Sequence, residues 1–70
     1  MRGIWEHSPG VTRDTEVDEM FVVVCGSATI EVEGQSKMQV GPGSIGILRE
    51  GNRTVWTVHE TLRKVFQTWQ

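Results

Sequence analysis

The sequence predicts an all-β fold, a small barrel with an inner cavity. Two observations carry this expectation. Val, Ile and Thr supply 21 of the 70 residues, while Ala occurs once and Leu twice. β-branched side chains are stiff at χ1 and suit a pleated surface, and the good helix formers are scarce. Turn signals also recur at short intervals: Ser8-Pro9-Gly10, Gly26-Ser27, Glu33-Gly34-Gln35, Gly41-Pro42-Gly43 and Glu50-Gly51-Asn52. Short strands punctuated this way are the pattern of a sandwich or barrel.

The elements follow in order. Arg2 to His7 alternates, with Ile4 on one face and Trp5 on the other. Glu19 to Cys25 is nearly continuous apolar sequence, as for a strand covered on both faces. Ala28 to Glu33 alternates Ala28, Ile30 and Val32 against Thr29, Glu31 and Glu33, and Glu33-Gly34 tips a hairpin into Ser36 to Val40. Ile45 to Leu48 follows the Gly-Pro-Gly turn. Arg53 to His59 sets Val55, Thr57 and His59 against Thr54, Trp56 and Val58. In Leu62 to Trp69 both faces are mixed, and the pattern does not choose the inner one. Residues 1–70 read as a single domain, without repeat or linker.

Bulk properties narrow the function classes. A domain this short buries only about 60% of its unfolded surface and needs support from disulfides, a metal or association. Cys25 is the only cysteine, so no intrachain disulfide forms, and its apolar neighbours read as the setting of a buried, inert thiol. A net charge of -2 with dispersed Lys and Arg lacks the basic stripe of a nucleic-acid binder. No apolar run approaches the ~20 residues of a membrane span, and no apolar signal-peptide core is present. The expected location is the cytoplasm. The glycines at 41, 43 and 51 read as tight turns rather than a phosphate loop, since neither a Lys-Ser/Thr pair nor a helix follows them. No nucleophile elbow is present.

Several motifs in order resemble one family. Gly3-Ile4-Trp5-Glu6, Ser8-Pro9-Gly10, Asp18-Glu19-Met20, Gly41-Pro42-Gly43, Trp56-Thr57-Val58-His59-Glu60 and Leu62-Arg63-Lys64-Val65-Phe66 are similar to small cupins of the ethanolamine-utilisation type and to the cupin domain of ureidoglycine aminohydrolase. Glu19, six residues and Gly26 match half of the first cupin motif. The resemblance implies a cupin-like, jelly-roll β-barrel, here shortened at its N-terminus relative to the family. It also implies four metal-ligand positions, and in this chain they hold Arg13, Thr15, Glu19 and Thr54. One carboxylate does not make the three or four converging donors that a metal needs. His7 and His59 match no ligand position, and His59 has the opposite parity from Thr54. Neither a metal nor a cofactor is expected.

The expected ligand pocket is lined by Trp5, Arg13, Glu19, Phe21, Thr54 and Trp56. The indoles supply apolar walls and an N–H donor. Arg13 is the receptor for a small anionic organic ligand, and Glu19 accepts a donor or holds Arg13. No catalytic residue is assigned. The leading reading is a metal-free small-molecule-binding domain of a homo-oligomer, with a terminal strand of each subunit pairing with the sheet of the other. Two alternatives stay open: an acid–base or metal-assisted isomerase or hydrolase using Glu19, and a purely structural association module. Activity does not transfer with the fold.

Overall fold

The computed structural model describes residues 1–69 as six strands joined by turns. They are β1 (Arg2–His7), β2 (Gly10–Thr15), β3 (Asp18–Val32), β4 (Met38–Val40), β5 (Ile45–Leu48) and β6 (Arg53–Trp69). All pairings are antiparallel. The expected pairs of strands at 19–25 and 28–33, and at 53–59 and 62–69, are each one long bent strand. These two long strands, β3 and β6, pair along almost their whole length.

The bend divides the sheet in two. On one side β1 pairs with residues 62–67 of β6, and β5 pairs with residues 19–22 of β3. On the other side β2 pairs with residues 53–58 of β6, and β4 with residues 28–30 of β3. The first half-sheet therefore runs β1, β6, β3, β5 and the second β2, β6, β3, β4. The halves fold face to face as an open jelly roll. Phe21 of the first half meets Trp56 of the second, ring centroids 5.5 Å apart.

The bend has a local cause. The β3–β6 register slips between Val23 and Ala28. Gly26 there adopts φ +87°, and a Cβ would land on the Thr61 carbonyl. Only glycine allows the two backbones to approach this closely. The slip also reverses the inward parity of β3. Glu19, Phe21 and Val23 point inward before it, and Ala28, Ile30 and Val32 after it. Cys25 falls within the slip and is exposed rather than buried.

The core is Phe21, Val23, Ala28, Ile30, Val32, Val40, Leu48, Trp56, Val58 and Leu62, with Trp5, Met38 and Phe66 packed against it. Leu62, Lys64 and Phe66 lie on the inner face of β6, which resolves the strand whose pattern was ambiguous. The expected double-sided burial of the β3 apolar run is not present in one chain, where Met20, Val22 and Val24 face outward and are exposed. Strand β2 was not anticipated; its polar sequence Gly10-Val11-Thr12-Arg13-Asp14-Thr15 lacks an apolar face, and its place comes from pairing with β6. Among the described residues no helix is long and apolar enough to cross a membrane.

Candidate functional site

The inner face of the fold holds a buried ion pair. Lys64 lies opposite Trp5 of β1 and Val23 of β3. Its side chain passes over Phe21 and donates to Glu19 Oε2 at 2.7 Å. Both residues are buried, Lys64 6% and Glu19 7% exposed. The Lys64 ammonium is also caged by aromatic faces, 4.5 Å from the Trp56 centroid, 4.8 Å from Phe21, 4.9 Å from Trp5 and 6.0 Å from Phe66. Burying two charges costs several kcal/mol per ion before any attraction is counted. The short hydrogen bond and the ring quadrupoles offset part of that cost. A well-packed apolar pair is often at least as stabilising, so stability alone does not account for the pair.

A cavity of about 190 Å³ opens beside the pair, lined by Trp5, Thr12, Asp14, Glu16, Glu19, Trp56, Lys64 and Phe66. At about 30 Å³ per water that is room for roughly six waters or one small organic molecule. Trp5 and Trp56 form adjoining walls, centroids 5.7 Å apart. His7 stacks on Trp5 at 5.3 Å and shares a 2.5 Å hydrogen bond with Thr12 Oγ1. Glu16 is fixed at the end of β2 by backbone bonds to Gly51 and Asn52, and its Oε2 accepts from Thr54 Oγ1 at 2.6 Å. The lining thus carries three carboxylates, Asp14, Glu16 and Glu19, and one cation, Lys64.

The residues expected from sequence divide between this cavity and elsewhere. Trp5, Glu19 and Trp56 line it. Phe21 lies beneath the Lys64 ammonium in the core. Thr54 is buried behind Glu16 and reaches the cavity only through that hydrogen bond. Arg13 lies outside it. It is exposed and lines a broader groove of about 810 Å³ with Glu31, Glu33, Lys37, Arg53 and Thr54, which Asp14 borders as well. The reason is parity: Thr12 and Asp14 of β2 line the cavity, so Arg13 between them projects to the opposite face. Glu19 consequently takes Lys64, not Arg13, as its ion-pair partner. His59 is exposed and shares a 2.8 Å hydrogen bond with Thr29 Oγ1.

Sequence reasoning missed Thr12, Asp14, Glu16, Lys64 and Phe66. The readable signal was Lys64 itself, a lysine set between Leu62 and Phe66 on one strand face. Asp14 and Glu16 depend on β2, which carries no apolar alternation.

A profile of the EutQ-like cupin domain matches residues 1–66. The chain belongs to this cupin family. Its fold is similar to that of a DUF861 protein from Thermotoga maritima, with a TM-score of 0.88 at 22% identity, over 96% of this chain and 77% of that one. A protein of unknown function from Rhizobium leguminosarum gives 0.89 at 22% identity, over 97% and 67%. A putative ethanolamine utilization protein Q from Salmonella typhimurium gives 0.84 at 19% identity, over 97% of this chain and 55% of that one. At such identities the likeness establishes the fold alone, and this cupin domain spans about half of the ethanolamine-utilisation protein. No curated protein matches the chain.

The metal that many cupins carry does not fit these residues. Arg13 and Thr15 are exposed on β2, the Thr54 hydroxyl is donated to Glu16, and Glu19 is engaged by Lys64. Among the described residues no group of three or more His, Cys, Asp or Glu is placed to hold a metal ion.

Proposed function

We propose that this cupin domain binds a small zwitterionic molecule of amino-acid size, and that it works as a homo-oligomer. The observation that carries the reading is the caged Lys64–Glu19 pair opening onto a small cavity with two further carboxylates. An anionic ligand group would compete with Glu19 for the Lys64 ammonium, the role the sequence had offered to Arg13. A purely anionic ligand would meet Asp14 and Glu16 as well. A molecule that also carries a donor or a positive charge satisfies them. The indole faces of Trp5 and Trp56 favour a short apolar or cationic portion between the two ends.

The test is tryptophan fluorescence and thermal melting with a panel of amino acids, monocarboxylic acids and simple amines. Amino acids are expected to shift emission and raise Tm, and acids or amines alone to act more weakly. Asp14→Asn is expected to weaken amino-acid binding about tenfold, on the scale of one charge-assisted hydrogen bond. Arg13→Ala is expected to change nothing. Silence across the whole panel, or loss of binding in Arg13→Ala with none in Asp14→Asn, would remove the ligand from this cavity.

A further inference from the structure

His7 lies one layer behind the cavity wall. It does not line the cavity, but it stacks on Trp5 and bonds Thr12, and both of those do. Its Nδ1 meets the Ser8 carbonyl oxygen. A carbonyl oxygen can only accept, so the hydrogen bonds assign the ring proton to Nδ1. In neutral His7 the Nε2 atom is then a bare acceptor. The one proton available to the 2.5 Å contact between Nε2 and Thr12 Oγ1 is the hydroxyl's own. Thr12 therefore donates to His7, and its oxygen has only lone pairs left for the cavity. Asp14, two residues along the same face of β2, adds a carboxylate.

Given the zwitterionic ligand proposed above, we infer that His7 is a positioning residue that sets the polarity of the β2 side of the cavity and so the direction in which the ligand lies. Neutral His7 holds Thr12 as an acceptor, which puts the ammonium group against Thr12 and Asp14 and the carboxylate against Lys64. When the ring gains a second proton, Nε2 becomes a donor, the Thr12 oxygen accepts from it, and the hydroxyl proton turns away from His7. Thr12 then offers a donor where the ammonium group needs an acceptor, with a positive charge behind it. Lys64 lies 4.9 Å from the Trp5 centroid, so protonation of His7 sets two cations against one indole. The other charged groups on this side are Asp14, Glu16 and Glu19 in the cavity lining, and Glu60 at the bend of β6, which accepts from Ser27 Oγ at 3.2 Å. Leu62 stands directly across from His7, and Glu6 and Arg63 pair with each other on the outer face. Affinity for a zwitterion therefore falls as His7 gains its proton.

Two measurements test this, one of them without ligand. Long-range proton–nitrogen NMR of the imidazoles reads the tautomer directly, and His7→Gln tells the signals of the two histidines apart. Neutral His7 is expected as the Nδ1–H tautomer. Alanine binding is then followed by tryptophan fluorescence between about pH 5 and pH 8, the span in which imidazoles ordinarily change charge and alanine keeps both of its own. Alanine affinity is expected to fall about tenfold from the upper to the lower end of that span, the scale of one hydrogen bond to a charged group. His7→Gln, whose amide oxygen can still accept from Thr12, should keep the affinity seen at the upper end and lose the pH dependence. Thr12→Val should bind weakly throughout, and Thr12→Ser should restore the original profile. An Nε2–H tautomer, or a pH profile that His7→Gln retains, would overturn the assignment. Failure of alanine to bind at any pH would sink the ligand reading, whereas the tautomer judges the His7–Thr12 relay on its own.

Discussion

The two half-sheets share the same pair of long strands, yet their outer faces differ in polarity. The second half-sheet shows water Val11, Thr57, Thr29 and Gln39 in one row and Arg13, Val55 and Glu31 in the next. Its polar groups are engaged with each other: Thr29 Oγ1 donates to Gln39 Oε1 at 2.7 Å, and Lys37 pairs with Glu31 at 3.5 Å. The first half-sheet shows Ile4, Val65, Val22 and Ile45 in the equivalent place. Strand propensity does not explain the difference, since threonine and valine suit a sheet equally well. What differs is the polarity of the two outer faces, and in the proposed homo-oligomer the apolar one is the face to be covered. The inner faces differ too: the first half supplies the Lys64–Glu19 pair, and the second supplies Trp56 as one wall of its cage.

The largest effect should come from the hinge between the halves. Gly26→Ala forces a Cβ onto the Thr61 carbonyl at a φ of +87°. Backbone strain of about 1–3 kcal/mol adds to overpacking of about 1–3 kcal/mol, enough to unfold a domain of this size. Gly34→Ala, at a similar φ of +82° in the β3–β4 hairpin, meets nothing within 4 Å and should cost only the strain. Urea denaturation of the two variants measures the contrast, and equal losses would mean that the hinge is not close-packed.

Next in size is the ion pair. Lys64→Met leaves Glu19 buried without a partner and should cost about 3–5 kcal/mol. The double variant Lys64→Met, Glu19→Leu should recover most of that loss while abolishing amino-acid binding. A double-mutant cycle in urea, with tryptophan fluorescence as the binding readout, checks both. Full stability of Lys64→Met would mean that Glu19 finds water or another donor, and that the cavity is wetter than its lining implies.

Much of this architecture was legible in the sequence, because β-branched composition and turn spacing are local signals. The inward set Ala28, Ile30 and Val32, and the set Thr54, Trp56 and Val58, follow from simple alternation. What alternation could not show was the register slip at Gly26, where β3 exchanges its inner and outer faces. Nor could it show β2, whose residues earn their place only by pairing with β6. The candidate site suffered from both gaps. Trp5 and Trp56 came from strands with clear alternation, and Glu19 from the cupin motif spacing up to Gly26. Arg13 was assigned by family position alone, and the pleat of β2 turns it outward, with Asp14 inward in its stead. Lys64 was missed because a buried lysine breaks the polar-outside rule that makes strand patterns readable.

The contrast between the outer faces can be read in one experiment, because the chain holds only four isoleucines. Ile4, Ile45 and Ile47 lie on the apolar outer face, and Ile30 lies in the core. Isoleucine δ1-methyl NMR spectra recorded over a dilution series report on all four at once. If a second copy covers the first half-sheet, the resonances of Ile4, Ile45 and Ile47 will move with dilution, and that of Ile30 will stay fixed. Four resonances that are all independent of concentration in a 7.9 kDa species, or an Ile30 signal that moves while the other three do not, would contradict the account.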